Sequence, residues 1–188
     1  MTESVMTKEV LSKSLIELCH YKRFEKITIS DITQRCKLNR QTFYYHFSDK
    51  FDLLGWTYQH TAIHYLKENV TLENWHDQVL KMLQEIQSNA AFYRNTVQDE
   101  SALLANQFSQ LTCELFLELF SRLDNEERVS KSDRLFYATF FSYGCGGMLI
   151  AWIVAGFKED AEELAASFAR LAKDTEKLAY QLYCEIEN

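Results

Sequence analysis

The chain has 188 residues, of which 47% are apolar and 14% aromatic, so it can bury the core of one domain or of two small ones. It contains no proline and only five glycines, which favours an all-helical protein. The five cysteines are widely spaced and form no CxxC pair, which argues against a disulfide framework and against a zinc site.

The net charge of −7 is unevenly distributed along the chain. Residues 1–55 carry nine Lys/Arg against seven Asp/Glu, whereas residues 56–188 carry eleven against twenty. A positive end on an acidic body is expected where only one end of a protein contacts phosphate, although chance variation can give the same split. The N-terminal residues show no signal peptide, so we expect a cytoplasmic protein.

The first 36 residues predict two helices. Apolar residues recur on one face of the segment from Thr7 to Tyr21, which predicts an amphipathic helix. Thr28 followed three residues later by Asp31 is similar to a capping box, and it predicts the start of a second helix that ends near Cys36.

A short third helix and the start of a fourth are predicted next. Asn39 is a good cap for the third helix, which should run from Arg40 to Phe47 with Phe43 and Phe47 packed inward. Ser48 and Asp49 should cap a fourth helix that begins at residue 50.

The rest of the chain predicts a helical bundle, with helices at about 73–88, 99–123, 132–157 and 160–185. No Gly- or Pro-rich linker separates it from the N-terminal helices, so the domain boundary near residue 52 should lie within a continuous helix. The expected fold is therefore all-α. An N-terminal three-helix helix-turn-helix domain, residues 1–52, is joined through a continuous helix to a C-terminal helical bundle domain, residues 53–188.

The uncharged stretch from Leu135 to Phe157 is long enough to cross a bilayer. Its tyrosines, hydroxyl residues and glycines dilute the hydrophobicity, so a buried helix at a subunit interface is the better interpretation.

Two neighbouring helices in the C-terminal half predict a homodimeric four-helix bundle. One carries small residues on a shared face, and the other carries apolar residues at alternating spacings of four and three. The alternative is an internal core with the same periodicity. The predicted interface residues are Gly144, Gly147, Ala151, Ala155, Leu164, Phe168, Leu171, Leu178 and Leu182.

The third helix has the side chains that a DNA-reading helix needs. Arginine can pair with guanine in a bidentate way, and glutamine or asparagine can pair with adenine. Tyrosine, histidine and lysine can donate to phosphate oxygens, although the tyrosines could also be half-buried packing residues. The candidates at the start of the helix are Asn39, Arg40, Gln41 and Thr42, and those beyond it are Tyr44, Tyr45, His46 and Lys50.

At these residues the sequence resembles the TetR family of bacterial transcriptional regulators. The stretch CKLNRQTFYYHF from Cys36 to Phe47, with Thr28 before it and Lys50 after it, is similar to the family's helix-turn-helix pattern over roughly residues 7–54. The resemblance implies phosphate contacts from Thr28, Tyr44, His46 and Lys50. It implies base contacts from Arg40 and Gln41, with Ser30 and Tyr45 as further candidates.

Two residues depart from the family pattern. Lys37 replaces a turn glycine, so a left-handed conformation there would cost about 1 kcal/mol. Gln41 replaces a small residue, which either adds a base contact or changes the docking depth.

Residues from Tyr143 to Ala165 resemble the C-terminal half of a TetR subset that includes activators of dihydroxyacetone kinase operons. This resemblance implies an activator that works with a co-regulator related to the kinase's dihydroxyacetone-binding subunit. A ligand-released repressor is the alternative within the same class. A helical interaction protein that has lost DNA binding is the alternative from another class.

Other signals are weaker. His60 and His64 stand one helical turn apart but lack the glutamate of the zinc-protease pattern, so no metal or other cofactor is predicted. No nucleophile elbow, P-loop or dinucleotide-binding glycine pattern occurs, so we do not expect an enzyme. Aromatic residues in the C-terminal half could line an effector pocket or could be simple core. The pocket candidates are Phe108, Phe116, Phe120, Tyr143 and Trp152.

Overall fold

A computed structural model describes residues 3–67, 70–71, 73–123 and 129–185, with side chains through residue 175 apart from those of residues 3 and 123. These residues form nine α-helices and two short 3-10 turns, which confirms the predicted all-α class. The helices are α1 Glu3–Leu18, α2 Ile29–Arg35, α3 Arg40–His46, α4 Lys50–Thr61, α5 Trp75–Ser88, α6 Ala90–Asp99, α7 Ser101–Leu123, α8 Lys131–Val154 and α9 Ala161–Glu185; the 3-10 turns are Phe24–Lys26 and Ile63–Leu66.

Helices α1 to α3 surround a small apolar core. Leu11 and Leu15 of α1, Ile32 of α2 and Phe43 of α3 are fully buried there. Burying each such side chain contributes roughly 1.5–3 kcal/mol, which is what holds three short helices together.

Helix α4 joins this unit to the rest of the molecule. Its first turn follows α3 directly, and its residue Tyr58 is fully buried against α6. The Tyr58 ring stacks on Tyr93 with centroids 5.6 Å apart, and its hydroxyl donates a 2.7 Å hydrogen bond to Thr96 Oγ1. Burial raises the pKa of Tyr58, so it stays a neutral donor.

The long helices α7 and α8 pack side by side at the centre of the body. Their closest approach is at Gly146, where an added Cβ would lie 2.3 Å from Ser109 Oγ and 3.1 Å from the carbonyl oxygen of Ala105. Ser109 also donates a 3.0 Å hydrogen bond to the carbonyl of Ser142. By length and composition alone α8 could cross a membrane. In this fold its inner face is buried, so α8 is a core helix of the bundle.

Some element boundaries differ from the sequence prediction. Helix α6 was not predicted as a separate helix, because its ends at Asn89 and Glu100 are marked by neither glycine nor proline. Helix α8 ends at Val154 and not at residue 157. Gly156 and Phe157 have φ values of 81° and 61°, and their amides donate back into the last turn, which ends the helix.

Candidate DNA interface

The start of α3 is fixed by its own cap. The Asn39 side-chain oxygen accepts hydrogen bonds from the Thr42 amide at 2.7 Å and from the Thr42 hydroxyl at 3.0 Å. These contacts satisfy an amide that the helix leaves unpaired at its N-terminus. Asn39 and Thr42 therefore position the residues between them, Arg40 and Gln41.

The start of α2 is fixed by a capping box. Thr28 and Asp31 exchange side-chain-to-backbone hydrogen bonds, as the spacing predicts. The Asp31 carboxylate also accepts a 2.6 Å hydrogen bond from Lys22. The Lys22 ammonium, and then the two Thr28 donors, lower the pKa of Asp31 to about 2. Ser30, a predicted base contact, lies half-buried in the first turn.

The turn between α2 and α3 adopts the strained conformation expected at Lys37. Its φ is 57°, and the Leu38 amide donates to the Thr33 carbonyl at 2.9 Å while the Lys37 amide donates to Gln34 at 3.2 Å. This pair of bonds is a Schellman motif, in which the left-handed residue is usually glycine. A non-glycine residue therefore occupies a position that costs about 1 kcal/mol.

Helix α3 presents one apolar and one polar side. Phe43 is buried on the inner side, and Phe47, which caps the helix, is buried beside it. Arg40 and Gln41 are exposed on the outer side, with Tyr44 and Tyr45 exposed by 51% and 82%. His46 is half-buried and packs edge-on against Tyr45 with ring centroids 4.9 Å apart.

Lys50 makes contacts that the sequence did not suggest. Its ammonium donates to the carbonyls of Phe24, Glu25 and Ile27 at 3.0, 3.0 and 3.2 Å, which uses all three N–H groups. Burial lowers its pKa, while Asp99 and Glu25 oppose the shift. The expected phosphate contact is therefore revised, because this amine supports the 3-10 turn.

We expect Lys50→Ala to lower the free energy of unfolding by about 1–3 kcal/mol, because three carbonyls lose a charged donor and two of these contacts are partly buried. Urea unfolding measures the change. Lys26→Ala is the control, since Lys26 is exposed and pairs only with Glu25, and it should change stability by less than about 0.5 kcal/mol. Unchanged unfolding of the Lys50 variant, together with a flatter salt dependence of DNA binding, would restore the phosphate role.

The predicted dimer residues divide between two environments. Gly144, Gly147, Ala151 and Ala155 are exposed on α8, and an added Cβ at either glycine would meet nothing within 4 Å. Larger apolar residues extend the same exposed α8 face: Phe136, Phe140, Tyr143, Met148 and Val154.

The predicted interface role of α9 is wrong for two residues. Leu164 and Phe168 are buried within the protomer, where Phe168 packs edge-on against Phe108 of α7. Leu171 is partly buried against the same core. The side chains of Leu178 and Leu182 lie outside the described residues.

The five residues of the predicted aromatic pocket do not lie together, because four are buried and the fifth is on the surface. Phe108, Phe116, Phe120 and Trp152 are buried as core, and Tyr143 is 63% exposed on the outside of α8. Phe116 and Phe120 both pack against Phe141, and the Trp152 indole donates to the Glu159 carbonyl at 2.8 Å.

His60 and His64 are separated by the end of α4, and each packs on a neighbouring aromatic ring, Trp56 and Tyr65 respectively. Across the described part of the chain, no group of three or more His, Cys, Asp or Glu residues could hold a metal ion.

Comparison with known proteins agrees with this architecture. The family model described as "Bacterial regulatory proteins, tetR family" matches residues 17–55, and the one described as "Transcriptional regulator C-terminal region" matches residues 73–174. The HTH-type dhaKLM operon transcriptional activator DhaS of Lactococcus lactis subsp. lactis (strain IL1403) is 29% identical over 94 residues. The match spans about half the length of each protein, 50% in both cases.

Two solved structures share the fold. The dihydroxyacetone kinase operon activator DhaS has a TM-score of 0.71 at 20% identity, with 93% of this chain and 98% of that chain covered. The TetR family repressor AlkX from Dietzia sp. strain DQ12-45-1b has a TM-score of 0.56 at 14% identity, with 90% and 97% covered. At these identities the likeness establishes the fold alone.

Proposed function

The chain belongs to the TetR family of bacterial transcriptional regulators, and from this premise we propose that it binds a pseudo-palindromic operator as a homodimer and activates a dihydroxyacetone kinase operon. It is a transcription factor and not an enzyme. The observation that supports the DNA contact is the two-sided helix α3, whose Phe43 is buried while Arg40, Gln41 and Tyr45 are exposed.

The proposed contacts follow from where each side chain lies. Arg40 and Gln41 read base edges from the start of α3, with Tyr45 beyond them and Ser30 on α2. Hydroxyl and imidazole groups near these residues contact phosphates, and the cap at the N-terminus of α3 holds the helix start in place. The phosphate contacts proposed are Thr28, Tyr44 and His46, and the supporting cap is Asn39 with Thr42.

The homodimer is proposed through the exposed α8 face. An apolar face of this extent marks an interaction surface in a protein of this size, and the open space at Gly144 and Gly147 allows a partner helix to approach closely. A two-fold axis there would place two α3 helices in successive major grooves, about 34–36 Å apart or somewhat more.

Activation of a dihydroxyacetone kinase operon is proposed from the partial similarity to DhaS, whose name gives that role to the relative. Four of the five predicted effector aromatics are buried as core and Tyr143 is exposed, which favours sensing by a partner protein. We propose that this partner is a co-regulator related to the kinase's dihydroxyacetone-binding subunit, and that both act in the cytoplasm.

DNA binding is tested with purified protein and a duplex from its own promoter region. Affinity should fall by about tenfold or more between 50 and 200 mM salt, because bound phosphates release counterions. A duplex of equal length and composition but shuffled sequence is the control, and it should bind more weakly. Absence of salt-sensitive binding to the promoter duplex would favour a helical interaction protein that has lost DNA binding, and equal binding to both duplexes would contradict a specific operator.

The sign of regulation is tested by deleting the gene and measuring transcripts of the target operon. Loss of expression supports an activator, whereas constitutive expression supports a ligand-released repressor. If kinase transcripts are unchanged while other transcripts respond, the proposed target is wrong.

A further inference from the structure

Asn95 of α6 makes three hydrogen bonds to the main chain between α1 and α2. Its side-chain oxygen accepts from the Phe24 amide at 2.8 Å, and its nitrogen donates to the carbonyls of Cys19 and Lys22 at 2.7 and 2.8 Å. The side chain thus uses both N–H groups and its oxygen on residues about 70 positions earlier in the chain.

Asp99 extends the same contact one helical turn further. Its carboxylate accepts from the Arg23 guanidinium at 2.7 Å and from the Glu25 amide at 3.0 Å. Residues four apart share one side of a helix, so Asn95 and Asp99 grip the 3-10 turn together. We call this contact the α6 clamp.

The other side of the same turn is held by the start of α4. Lys50 donates to the carbonyls of Phe24, Glu25 and Ile27, and the Phe51 ring packs edge-on against Phe24 with centroids 5.6 Å apart. The 3-10 turn is therefore held between α6 of the body and Lys50, the first residue of α4. Two successive sets of hydrogen bonds, from α6 to the turn and from the turn to Lys50, thus connect the body with the start of α4, the helix that follows the proposed recognition helix.

A second contact fixes α4 further along. The Gln107 amide donates to the Gly55 carbonyl at 3.1 Å, while Gln107 Oε1 is buried and has no hydrogen-bond partner among the described residues. This contact is incompletely satisfied, whereas every polar group of Asn95 has a partner. The clamp is thus better determined than the Gln107 contact, and the Tyr58–Thr96 hydrogen bond holds α4 on α6 further along the helix.

We propose that Asn95 and Asp99 are positioning residues for operator binding: they fix the angle of the helix-turn-helix unit on the body and thereby the separation of the two α3 helices in the dimer. The inference rests on the proposed DNA-binding function. Neither residue touches DNA in this account, since both act through the 3-10 turn and Lys50.

The test compares operators that differ only in half-site spacing. Duplexes selected from a random library by the wild-type protein define the preferred site, and a series is then made with one or two base pairs inserted or removed at its centre. Binding is measured for wild type, Asn95→Ala and Asp99→Ala. The control is Asn89→Ala, which changes the same residue type just before the start of α6, where the side chain donates to Glu85 and Ser88.

We expect the wild type and the Asn89→Ala control to bind the duplex with the preferred spacing more tightly than any other duplex of the series. For Asn95→Ala the ratio of Kd values between altered and preferred spacings should fall by at least about fivefold, the lower end of typical coupling between sites. Affinity for a duplex with a single half-site should stay within about twofold, because the α3 side chains are untouched.

The alternative outcomes are distinguishable. Equal weakening at every spacing would mean that the clamp only stabilises the fold, and it would overturn the inference. If circular dichroism shows that Asn95→Ala is unfolded, the same ratio of Kd values is measured for Asp99→Ala. This variant should remain folded, because the partners that lose a bond, Arg23 and Glu25, are exposed to water. If the wild type selects no duplex at all, it is the proposed function that fails.

Discussion

Replacing Arg40 with alanine will weaken operator binding by about 1–3 kcal/mol for each half-site and relax the preference at one base position. Arg40 lies exposed at the start of α3, and its side-chain hydrogen bond to the Tyr44 hydroxyl is long at 3.5 Å. Its guanidinium is therefore free to form a bidentate pair with guanine. The loss is measured by titrating the selected duplex and its three single-base variants at each position.

Two comparison variants separate base reading from charge. Arg40→Lys keeps the charge but loses the planar pair of donors, so it should retain the salt dependence and lose the base preference. Arg170→Ala removes an exposed arginine of α9 that donates a hydrogen bond to Ser167, and it should leave operator binding unchanged. If Arg40→Ala weakens binding of the duplexes with all four bases equally, Arg40 contacts phosphate and the base-reading assignment is wrong.

Replacing Phe140 with glutamate will raise the dimer dissociation constant by roughly 100-fold to 10,000-fold. Phe140 is 67% exposed in the protomer, so the change costs the monomer little. In a two-fold dimer both copies lose the burial of a phenylalanine, about 1.5–3 kcal/mol each or roughly 3–6 kcal/mol together. Sedimentation equilibrium over a range of concentrations measures the constant.

Tyr21→Glu serves as the control for Phe140. Tyr21 is also aromatic and 66% exposed, but it lies beyond the end of α1, where its hydroxyl accepts from Arg35. This variant should dimerise normally. Normal dimerisation of Phe140→Glu, with circular dichroism matching the wild type, would show that the exposed α8 face is not the interface.

Helix starts could be read from the sequence because their causes are local. Thr28, Asn39 and Asp49 each accept a backbone amide two or three residues ahead, so cap and helix are encoded within four residues. The left-handed turn at Lys37 was expected from the resemblance to the family pattern, in which glycine stands at this position. Helix α6 was missed because the breaks at Asn89 and Glu100 carry neither glycine nor proline.

Partners distant in the chain could not be predicted. The spacing of apolar residues on α9 shows that Leu164 and Phe168 face something apolar, but a periodicity does not say whether that partner is in the same chain. Lys50 is a similar case. A lysine near a DNA-reading helix suggests phosphate, and only the fold brings three carbonyls to its ammonium.

The bonds from Asn95 end on main-chain atoms of residues 19, 22 and 24, and such atoms are the same whatever side chains a sequence carries. These three bonds therefore depend on the path and length of the bound segment, whereas the Arg23–Asp99 pair and the buried Phe24 ring depend on its side chains. Substitutions on the exposed side of α3 can change the DNA specificity without disturbing the Asn95 bonds, and a related helix-turn-helix unit of the same length should make the same contacts with α6. A single inserted residue between α1 and α2 would uncouple the two halves.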